Sequence, residues 1–380
     1  MDKKQLFRNL YTATRKTVHI LDRPMFNKLA ALGKTFVEDN HTPLIKQRFK
    51  HRCDIIRKHA SELIHTNEPL NEEPSSERTF TDAVVMQGPV TDDTADSLRY
   101  MRCIYPNALI VLSTWNGTEA KLLRPLKPFC DCIVTSEPPA VAGGRNRNYQ
   151  IVSTYKGICE AESLGAQYVL KIRTDCCVTA PDVFNLYRTL SKHYDSGILN
   201  DTKSAGRIFV NQTYTKKFIP YHVSDIVMLG RISDLKRFWS VQPDNRELSV
   251  HDASWAINSL EKIGLEGLLP ECYLTRHYAA SIGWQIKDSL VDYWRLMRDI
   301  FVVQDDSWFD LIWFKLPIPI QPLPVDETVT HAFWQSLYHG LPPKLIDIEV
   351  ALTGIRDLGV NTLLTTEPIS AAFTSKSDLK

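Results

Sequence analysis

The chain has 380 residues, of which 43% are apolar and 23% are charged, and its formal net charge at pH 7 is +1. This apolar fraction is ordinary for a globular protein and sufficient for a sizeable core. The length allows one large domain with extensions, or two domains. The longest apolar runs have about five residues, which excludes a membrane-spanning helix of roughly 20 residues.

The charge is distributed unevenly along the chain. Residues 1–60 hold 14 Lys and Arg against 5 Asp and Glu, or +9, and the remaining 320 residues hold 31 against 39, or −8. A basic N-terminal segment suggests an anionic partner, either a phospholipid surface or a nucleic acid. A solvated helical surface explains the same charge equally well.

The N-terminus has no apolar h-region, so no secretory signal is predicted. The eight cysteines show neither disulfide spacing nor the paired spacing of a zinc site. We therefore expect free, mostly buried thiols. The expected location is the cytoplasm, with peripheral attachment at the inner face of the cell membrane as a further option.

Three segments are predicted from the change in pattern along the chain. Apolar residues recur at helical spacing within residues 1–60, and the acidic, Pro- and Ser-rich stretch 68–77 indicates a linker. We therefore expect residues 1–78 to be a basic helical N-terminal extension with its linker. Residues 79–320 then form the main domain, and residues 321–380 form a C-terminal helical segment with a frayed tail.

The main domain alternates between short apolar runs and amphipathic helical stretches. This alternation predicts βαβ units and a mainly parallel sheet flanked by helices, which is an α/β fold. The runs read as strands are residues 83–86, 108–112, 132–135, 168–172, 208–210 and 226–229. Residues 284–316 are dense in Trp and Phe, and are predicted to pack a second layer or to stack on sugar rings.

Asp175 follows the run 168–172 at the point where that strand should end. In an open α/β sheet, ligands bind just beyond the carboxyl ends of the strands. Lys171 and Arg173 alternate with Ile172 and share one face, which is costly on a central strand unless the charges are paired or face a ligand cleft. Asp175 is therefore either part of a site that binds a phosphorylated sugar donor, or an ordinary helix cap or solvated carboxylate.

Two further features bear on sugar transfer, although the chain has no P-loop, no G-x-G-x-x-G and no G-x-S-x-G motif. Gly143 and Gly144 precede a basic stretch that contains Arg147, and such a helix start can cradle a phosphate; the alternative is a loop with solvated arginines. Transfer to a hydroxyl needs a general base, usually a carboxylate. Asp225 and Glu271 are the candidates, unless each is a cap or a structural hydrogen-bonding group.

Several motifs occur in order between about residues 80 and 310. A Q-G-P turn follows the first predicted strand and K-x-R-T-D ends the fourth, a fairly specific combination. The matching stretches are residues 84–89, 105–108, 112–115, 148–154 with Gly157, 168–175, 224–225 and 270–273. Together they resemble the WavE lipopolysaccharide-synthesis family of glycosyltransferase-like proteins.

The resemblance implies a GT-A-like fold, that of nucleotide-diphospho-sugar transferases, and a role in synthesis of bacterial lipopolysaccharide or another surface polysaccharide. It implies that Asp175 stands where GT-A enzymes keep their D-x-D carboxylate. The other donor-binding residues that it implies are Gln87, Gly88 and Pro89 beside the nucleotide, and Arg147, Asn148 and Gln150 beside the donor phosphates or sugar.

The chain departs from this family pattern at two places. Arg173 occupies the position of the first Asp of D-x-D, and Ile226-Val227 follows Ser-Asp where family members commonly have an aromatic residue. A lone carboxylate holds Mg²⁺ or Mn²⁺ less firmly, and a neighbouring arginine can replace part of the metal's charge. Whether Asp175 binds a metal therefore stays open.

We thus expect a glycosyltransferase that moves a sugar from a nucleotide-sugar donor to a glycan or lipid-linked glycan acceptor of lipopolysaccharide, capsule or exopolysaccharide. The alternative is a non-catalytic nucleotide- or glycan-binding module of a polysaccharide assembly complex, tethered to an anionic membrane through residues 1–60. No nucleic-acid partner is expected, because the basic residues are not interleaved with a recognisable nucleic-acid-binding fold.

Overall fold

A computed structural model describes residues 80–194, 202–248, 260–314 and 328–340, together with residues 54, 55 and 58. Apart from those three residues, the predicted N-terminal extension lies outside this part of the chain. Most of the predicted C-terminal segment lies outside it too.

The described strands form a seven-stranded mixed sheet, in the order β3-β2-β1-β4-β7-β6-β8, and a two-stranded sheet of β5 and β9. Their bounds are β1 (Asp82–Gln87), β2 (Leu109–Trp115), β3 (Cys132–Ser136), β4 (Tyr168–Arg173), β5 (Cys176–Val178), β6 (Ile208–Asn211), β7 (Met228–Arg231), β8 (Phe301–Gln304) and β9 (Leu311–Trp313).

Helices flank the sheet, and none of those described is long and apolar enough to cross a membrane. Their bounds are α1 (Asp92–Ile104), α2 (Ala120–Leu123), α3 (Arg147–Ser163), α4 (Val183–His193), α5 (Ile232–Trp239), α6 (Leu260–Leu265), α7 (Pro270–Ser281), α8 (Leu290–Ile300), α9 (Asp306–Phe309) and α10 (His331–Tyr338).

Strands β1 to β4 run parallel, so their carboxyl ends meet at one edge of the sheet. Gln87 at the end of β1 pairs with Ser113 of β2 and with Arg173 of β4. On the far side of β4, β7 pairs antiparallel with both β4 and β6, and β8 adds a parallel strand beside β6. This mostly parallel sheet with flanking helices confirms the predicted GT-A-like α/β fold class.

Helix α3 packs closely on this parallel half of the sheet because it carries a glycine where it crosses β1 and β2. A Cβ at Gly157 would lie 2.7 Å from Val85 Cγ1 and 2.9 Å from Ser113 Cβ. Ser113 also donates a hydrogen bond from Oγ to the Ser153 carbonyl over 2.7 Å. The close contact holds the N-terminal end of α3 beside the carboxyl edge of the sheet.

The predicted start of the strand at residues 226–229 is wrong, because β7 begins at Met228. The backbone N–H of Val227 donates to Asn211 Oδ1 over 3.3 Å instead of joining the sheet ladder. Ser224 Oγ donates to the same oxygen over 2.8 Å. A buried side-chain acceptor thus delays the start of β7 and leaves Asp225 in a loop.

The seven cysteines in the described part of the chain are free thiols, as expected. Three of them, Cys176, Cys177 and Cys272, are buried, whereas Cys103, Cys130, Cys132 and Cys159 are half-buried. The prediction that the thiols are mostly buried is therefore wrong for these four, which lie near the ends of their helices and strands or on partly exposed helix faces.

Candidate functional site

Asp175 lies two residues past the carboxyl end of β4 and is paired with Arg173. The guanidinium donates from Nε to Oδ1 over 2.9 Å and from Nη2 to Oδ2 over 3.1 Å. Its centre also lies 5.4 Å from the ring centroid of Trp313. The two charged side chains keep 26% and 15% of their surface exposed, so the pair borders solvent at this edge.

Arg173 keeps the Asp175 carboxyl group ionised by lowering its pKa. Burial alone would raise the pKa of Asp175, but the hydrogen bonds and positive charge of Arg173 outweigh it, so the pKa is lowered. The carboxylate is thus ionised and already neutralised by a guanidinium. In the described residues, no group of three or more His, Cys, Asp and Glu side chains is arranged to hold a metal ion.

Lys171, on the same face of β4, fixes a different part of the site. It is fully buried, its Nζ donates to the carbonyl oxygen of Asp225, and it lies 4.7 Å from the Trp239 ring centroid. Burial lowers the pKa of Lys171 to about 8, against the opposing charge of Asp225. The two cations of K-x-R-T-D therefore hold two separate carboxylate-bearing segments at one edge of the sheet.

The segment that Lys171 holds is the connection from β6 to β7, residues 212–227, called the site loop below. Helix α8 anchors it through aromatic side chains. Tyr293 Oη donates to the carbonyls of Lys216 and His222, both over 2.9 Å, and Trp294 Nε1 donates to the Lys217 carbonyl over 2.8 Å. Part of the aromatic stretch 284–316 therefore serves to position this loop.

The structure brings the two predicted base candidates together beside the site loop. Asp225 is 3% exposed, and its Oδ2 has no hydrogen-bond partner among the described residues. Burial raises the pKa of Asp225, and the negative charge of Glu271 raises it further against the charge of Lys171. Burial also raises the pKa of Glu271, which lies in the first turn of α7.

His222 was not predicted as a site residue; it belongs to the site loop and faces Glu271. Its Nε2 is 3.8 Å from Glu271 Oε2, and only 3% of the His222 side chain and 14% of the Glu271 side chain are exposed. A histidine two residues before Ser-Asp was the available sequence signal. It could not be interpreted without the partner on α7, about fifty residues further along.

The Q-G-P turn after β1 lies against the residue that precedes Asp175. Thr174 donates from its backbone N–H to the Gln87 carbonyl over 3.0 Å and from Oγ1 to the Pro89 carbonyl over 2.7 Å. Gly88 has φ +132°, and a Cβ there would lie 2.7 Å from Thr174 Oγ1. The turn thus needs glycine, and it brings the exposed Pro89 to the edge that carries Asp175.

Arg147 and Asn148 hold loops together rather than facing solvent. Both are fully buried, and Arg147 Nη1 lies 3.0 Å from Asp244 Oδ2 while Asn148 exchanges hydrogen bonds with the Asp244 backbone over 2.7 and 2.8 Å. The remaining acceptors of the Arg147 guanidinium are the carbonyls of Gly144, Gly267 and Leu268. As placed here, neither side chain offers a surface to donor phosphates.

Two polar side chains of this loop and helix start, Gln150 and Arg145, take no part in the contacts with Asp244. Gln150 is half-buried, and its Oε1 is buried with no hydrogen-bond partner among the described residues. Arg145 is exposed and adopts φ +52°, just before α3 begins. An unpartnered acceptor and an exposed cation therefore flank the first turn of α3.

Residues 83–258 match the WavE lipopolysaccharide synthesis family. The WavE match runs from β1 past β7 and includes Gln87, Asp175 and Asp225, whereas Glu271 lies beyond it. It confirms the resemblance inferred from the motifs, and it connects this segment with lipopolysaccharide synthesis. No curated protein matches the chain.

Proposed function

We propose that the chain is a glycosyltransferase that moves a sugar from a nucleotide-sugar donor to a bacterial surface glycan, either lipopolysaccharide or a capsule or exopolysaccharide. One observation carries the proposal: Asp225, which is buried, and Glu271, which is half-buried, lie beside the edge of the sheet that carries the Arg173–Asp175 pair, and the charges of Glu271 and Arg173 both act on Asp225. The WavE match supports the glycan class. Such a site has a cation for a leaving phosphate and a base for an acceptor hydroxyl.

On the donor side, Arg173 stabilises the leaving group. The bond between the sugar C1 and the phosphate oxygen breaks, and its electron pair stays on the leaving diphosphate or monophosphate. Asp175 engages Nε and Nη2 of Arg173, and in the described part of the chain no hydrogen bond occupies Nη1. Nη1 is thus a preorganised donor for a phosphate oxygen, where it acts on the charge that develops in the transition state.

We propose that Arg173 supplies the charge that Mg²⁺ or Mn²⁺ supplies in D-x-D enzymes. Both oxygens of Asp175 are already bound by the guanidinium, and a divalent cation beside Arg173 would be repelled by it. These residues therefore fit a phosphate better than a metal. Asp175 serves to aim Arg173 and to orient the donor sugar.

The remaining donor contacts are assigned by exposure. The Q-G-P turn borders the nucleotide through the exposed Pro89, whereas Gln87 and Gly88 are buried and shape the turn, and Gln87 Oε1 accepts from Ser153 Oγ. Gln150 and Arg145 approach the phosphates or sugar from the start of α3. The roles first expected of Arg147 and Asn148 become those of positioning residues, because both are buried and engaged by protein atoms. They hold the loop that presents Arg145.

On the acceptor side, Asp225 or Glu271 takes the proton of the acceptor hydroxyl in an inverting transfer. The raised pKa values suit a base that must hold a proton after the reaction. Glu271 is the more exposed of the two, which favours its contact with the acceptor. The acceptor is a glycan or lipid-linked glycan, met in the cytoplasm at the inner face of the membrane.

Thermal denaturation against a panel of nucleotides tests this proposal against a non-catalytic scaffold. A glycosyltransferase is stabilised by one nucleotide class, by about 2.7 kcal/mol at a ligand concentration 100 times Kd. Asp175→Ala should reduce that shift, and Asp288→Asn, which removes the charge of an exposed ion pair with Arg276, should keep it. The absence of a selective shift with any nucleotide contradicts the proposal.

A further inference from the structure

His222 is fixed in one tautomer by the site loop. Its Nδ1 lies 2.7 Å from the carbonyl oxygen of Tyr214. A carbonyl only accepts, so Nδ1 carries the proton, and Nε2 is the nitrogen that lies 3.8 Å from Glu271 Oε2. The imidazole therefore presents either a lone pair or, when protonated, a positive N–H to the carboxylate.

The backbone around His222 is held rigidly. The His222 carbonyl accepts from the Lys216 N–H over 2.9 Å and from Tyr293 Oη over 2.9 Å. Tyr214 and Tyr221, with φ of +67° and +60°, adopt left-handed conformations that cost free energy in non-glycine residues. Such a loop keeps the imidazole at a constant distance from α7.

We propose that His222 is the positioning residue for the acceptor base, holding Glu271 in place at the entrance to the site and keeping it ionised. The inference rests on the proposed glycosyl transfer, and it selects Glu271 over Asp225 as the base. The acceptor hydroxyl gives its proton to Glu271, its oxygen bonds to the sugar C1, and the C1–phosphate bond breaks with the electron pair on the phosphate. His222 touches neither donor nor acceptor.

The charges around Glu271 determine the direction in which His222 changes the pKa of Glu271. A carboxylate this close to an imidazole favours the protonated, positive form of the imidazole. An imidazolium at 3.8 Å favours the ionised carboxylate and so opposes the burial that raises the pKa of Glu271. The other charged groups that act on this pair are Asp225 and Lys216 of the site loop, and Arg145 and Arg147 at the start of α3.

Two substitutions of His222 separate the effect of its contact with Glu271 from the effect of its positive charge. His222→Asn keeps an amide N–H near Nδ1 for the Tyr214 carbonyl and removes the group that faces Glu271. His222→Gln places its amide near Nε2, so it restores contact without charge. His277→Asn is the matched control, because the His277 Nδ1 makes the same kind of contact with the Tyr273 carbonyl, over 2.8 Å, on the exposed face of α7.

The first measurement needs no turnover. Carbon-13 NMR of labelled glutamate carboxyls, with Glu271 assigned by loss of its signal in Glu271→Gln, follows its titration in each full-length variant. Both His222 variants should raise the midpoint of Glu271 by roughly one pH unit, since a positive neighbour is lost. His277→Asn should leave it unchanged. An unchanged midpoint in folded His222→Asn and His222→Gln overturns the inference.

The second measurement is the pH profile of acceptor-dependent transfer. Both His222 variants should move the acid limb of kcat/KM to higher pH by the same amount, and His222→Gln should recover part of the kcat lost in His222→Asn. A uniform loss at every pH shows a merely structural residue and overturns the inference. If the carboxyl titration shifts but no nucleotide sugar supports transfer, the coupling stands and the proposed function fails.

Discussion

At the scale of single residues, two basic side chains on β4 carry out different tasks two positions apart. Lys171 is buried and binds a backbone carbonyl of the site loop, whereas Arg173 is partly exposed and binds a carboxylate. Alternation along a strand places both side chains on one face. A pair of charges that looks unfavourable on a central strand is satisfied because each has its own partner at the sheet edge.

Removing the guanidinium of Arg173 should abolish most of the transfer. We expect Arg173→Met to lower kcat by roughly 10²–10³, the usual effect of losing one donor to a developing charge. Arg173→Lys should recover only part, because an ammonium cannot grip Asp175 with two parallel bonds. Steady-state kinetics with a purified nucleotide sugar measure both effects.

The control for Arg173 is Arg188 of α4, which contacts the amino-terminal ends of β1 and β4. Arg188 pairs with Asp82 over 2.6 Å and lies 5.3 Å from the Tyr168 ring centroid, an arrangement similar to that of Arg173. Arg188→Met should retain activity. Wild-type activity should also survive a chelator, and a loss in EDTA that Mn²⁺ restores would contradict the role given to Arg173.

At the scale of elements, periodicity predicts the parallel half of the sheet but not the site loop. The runs that predict β1, β2 and β4 are continuous and apolar, because these strands are buried on both faces. The site loop is largely buried as well, yet several of its backbone groups bond to Asn211, Tyr293 and Trp294, which lie in other elements. Such non-local hydrogen bonds produce no periodic pattern of apolar residues, so the sequence does not predict the loop.

The candidate site was predictable in part for the same reason. Asp175, Asp225 and Glu271 follow motifs, and the structure places them at or beside one edge. His222 has meaning only next to Glu271, and the buried state of Arg147 depends on Asp244 and on carbonyls far along the chain. The sequence shows which residues carry charged or polar side chains. Tertiary packing determines how exposed each of these side chains is and which residue it contacts.

The contact between α3 and the sheet gives a prediction about stability. Gly157→Ala would place a methyl group within 2.7 Å of Val85 Cγ1, so α3 must move away from β1 and β2. Overpacking of this kind typically costs about 1–3 kcal/mol, partly offset by the better helix propensity of alanine. Urea denaturation measures the change in the free energy of unfolding.

Lys156→Ala is the control for this substitution, because residue 156 lies on the exposed face of the same helix. Its effect should stay within about 0.5 kcal/mol. If Gly157→Ala is as stable as wild type, the close approach of α3 does not limit packing. In that case the placement of the Arg145 loop would need another cause.

At the scale of the whole molecule, the net charge of the first 60 residues is opposite in sign to that of the rest of the chain. The +9 of residues 1–60 contrasts with the −8 of the remaining 320 residues, which include the residues of the site. A basic segment beside an acidic remainder suits an enzyme whose acceptor is carried by an anionic membrane. For the donor, in contrast, we propose binding through local cations such as Arg173.

Vesicle binding tests the membrane attachment separately from catalysis. The full chain should sediment with vesicles that contain anionic phospholipid and not with neutral ones, and binding should weaken as salt rises, since the attraction is screened. Deletion of residues 1–60 should release it. If the intact chain ignores anionic vesicles at low salt, the basic segment has another partner or is only a solvated surface.

The most direct test of the account is acceptor-dependent release of nucleoside phosphate from a panel of nucleotide sugars, with lipopolysaccharide precursors as acceptors. The wild type should release it with one donor class. Glu271→Gln should lower the rate by roughly 10²–10⁴, the usual contribution of a general base, while keeping the thermal shift with nucleotide. No acceptor-dependent release with any donor, or full release by both Asp225→Asn and Glu271→Gln, would contradict the account.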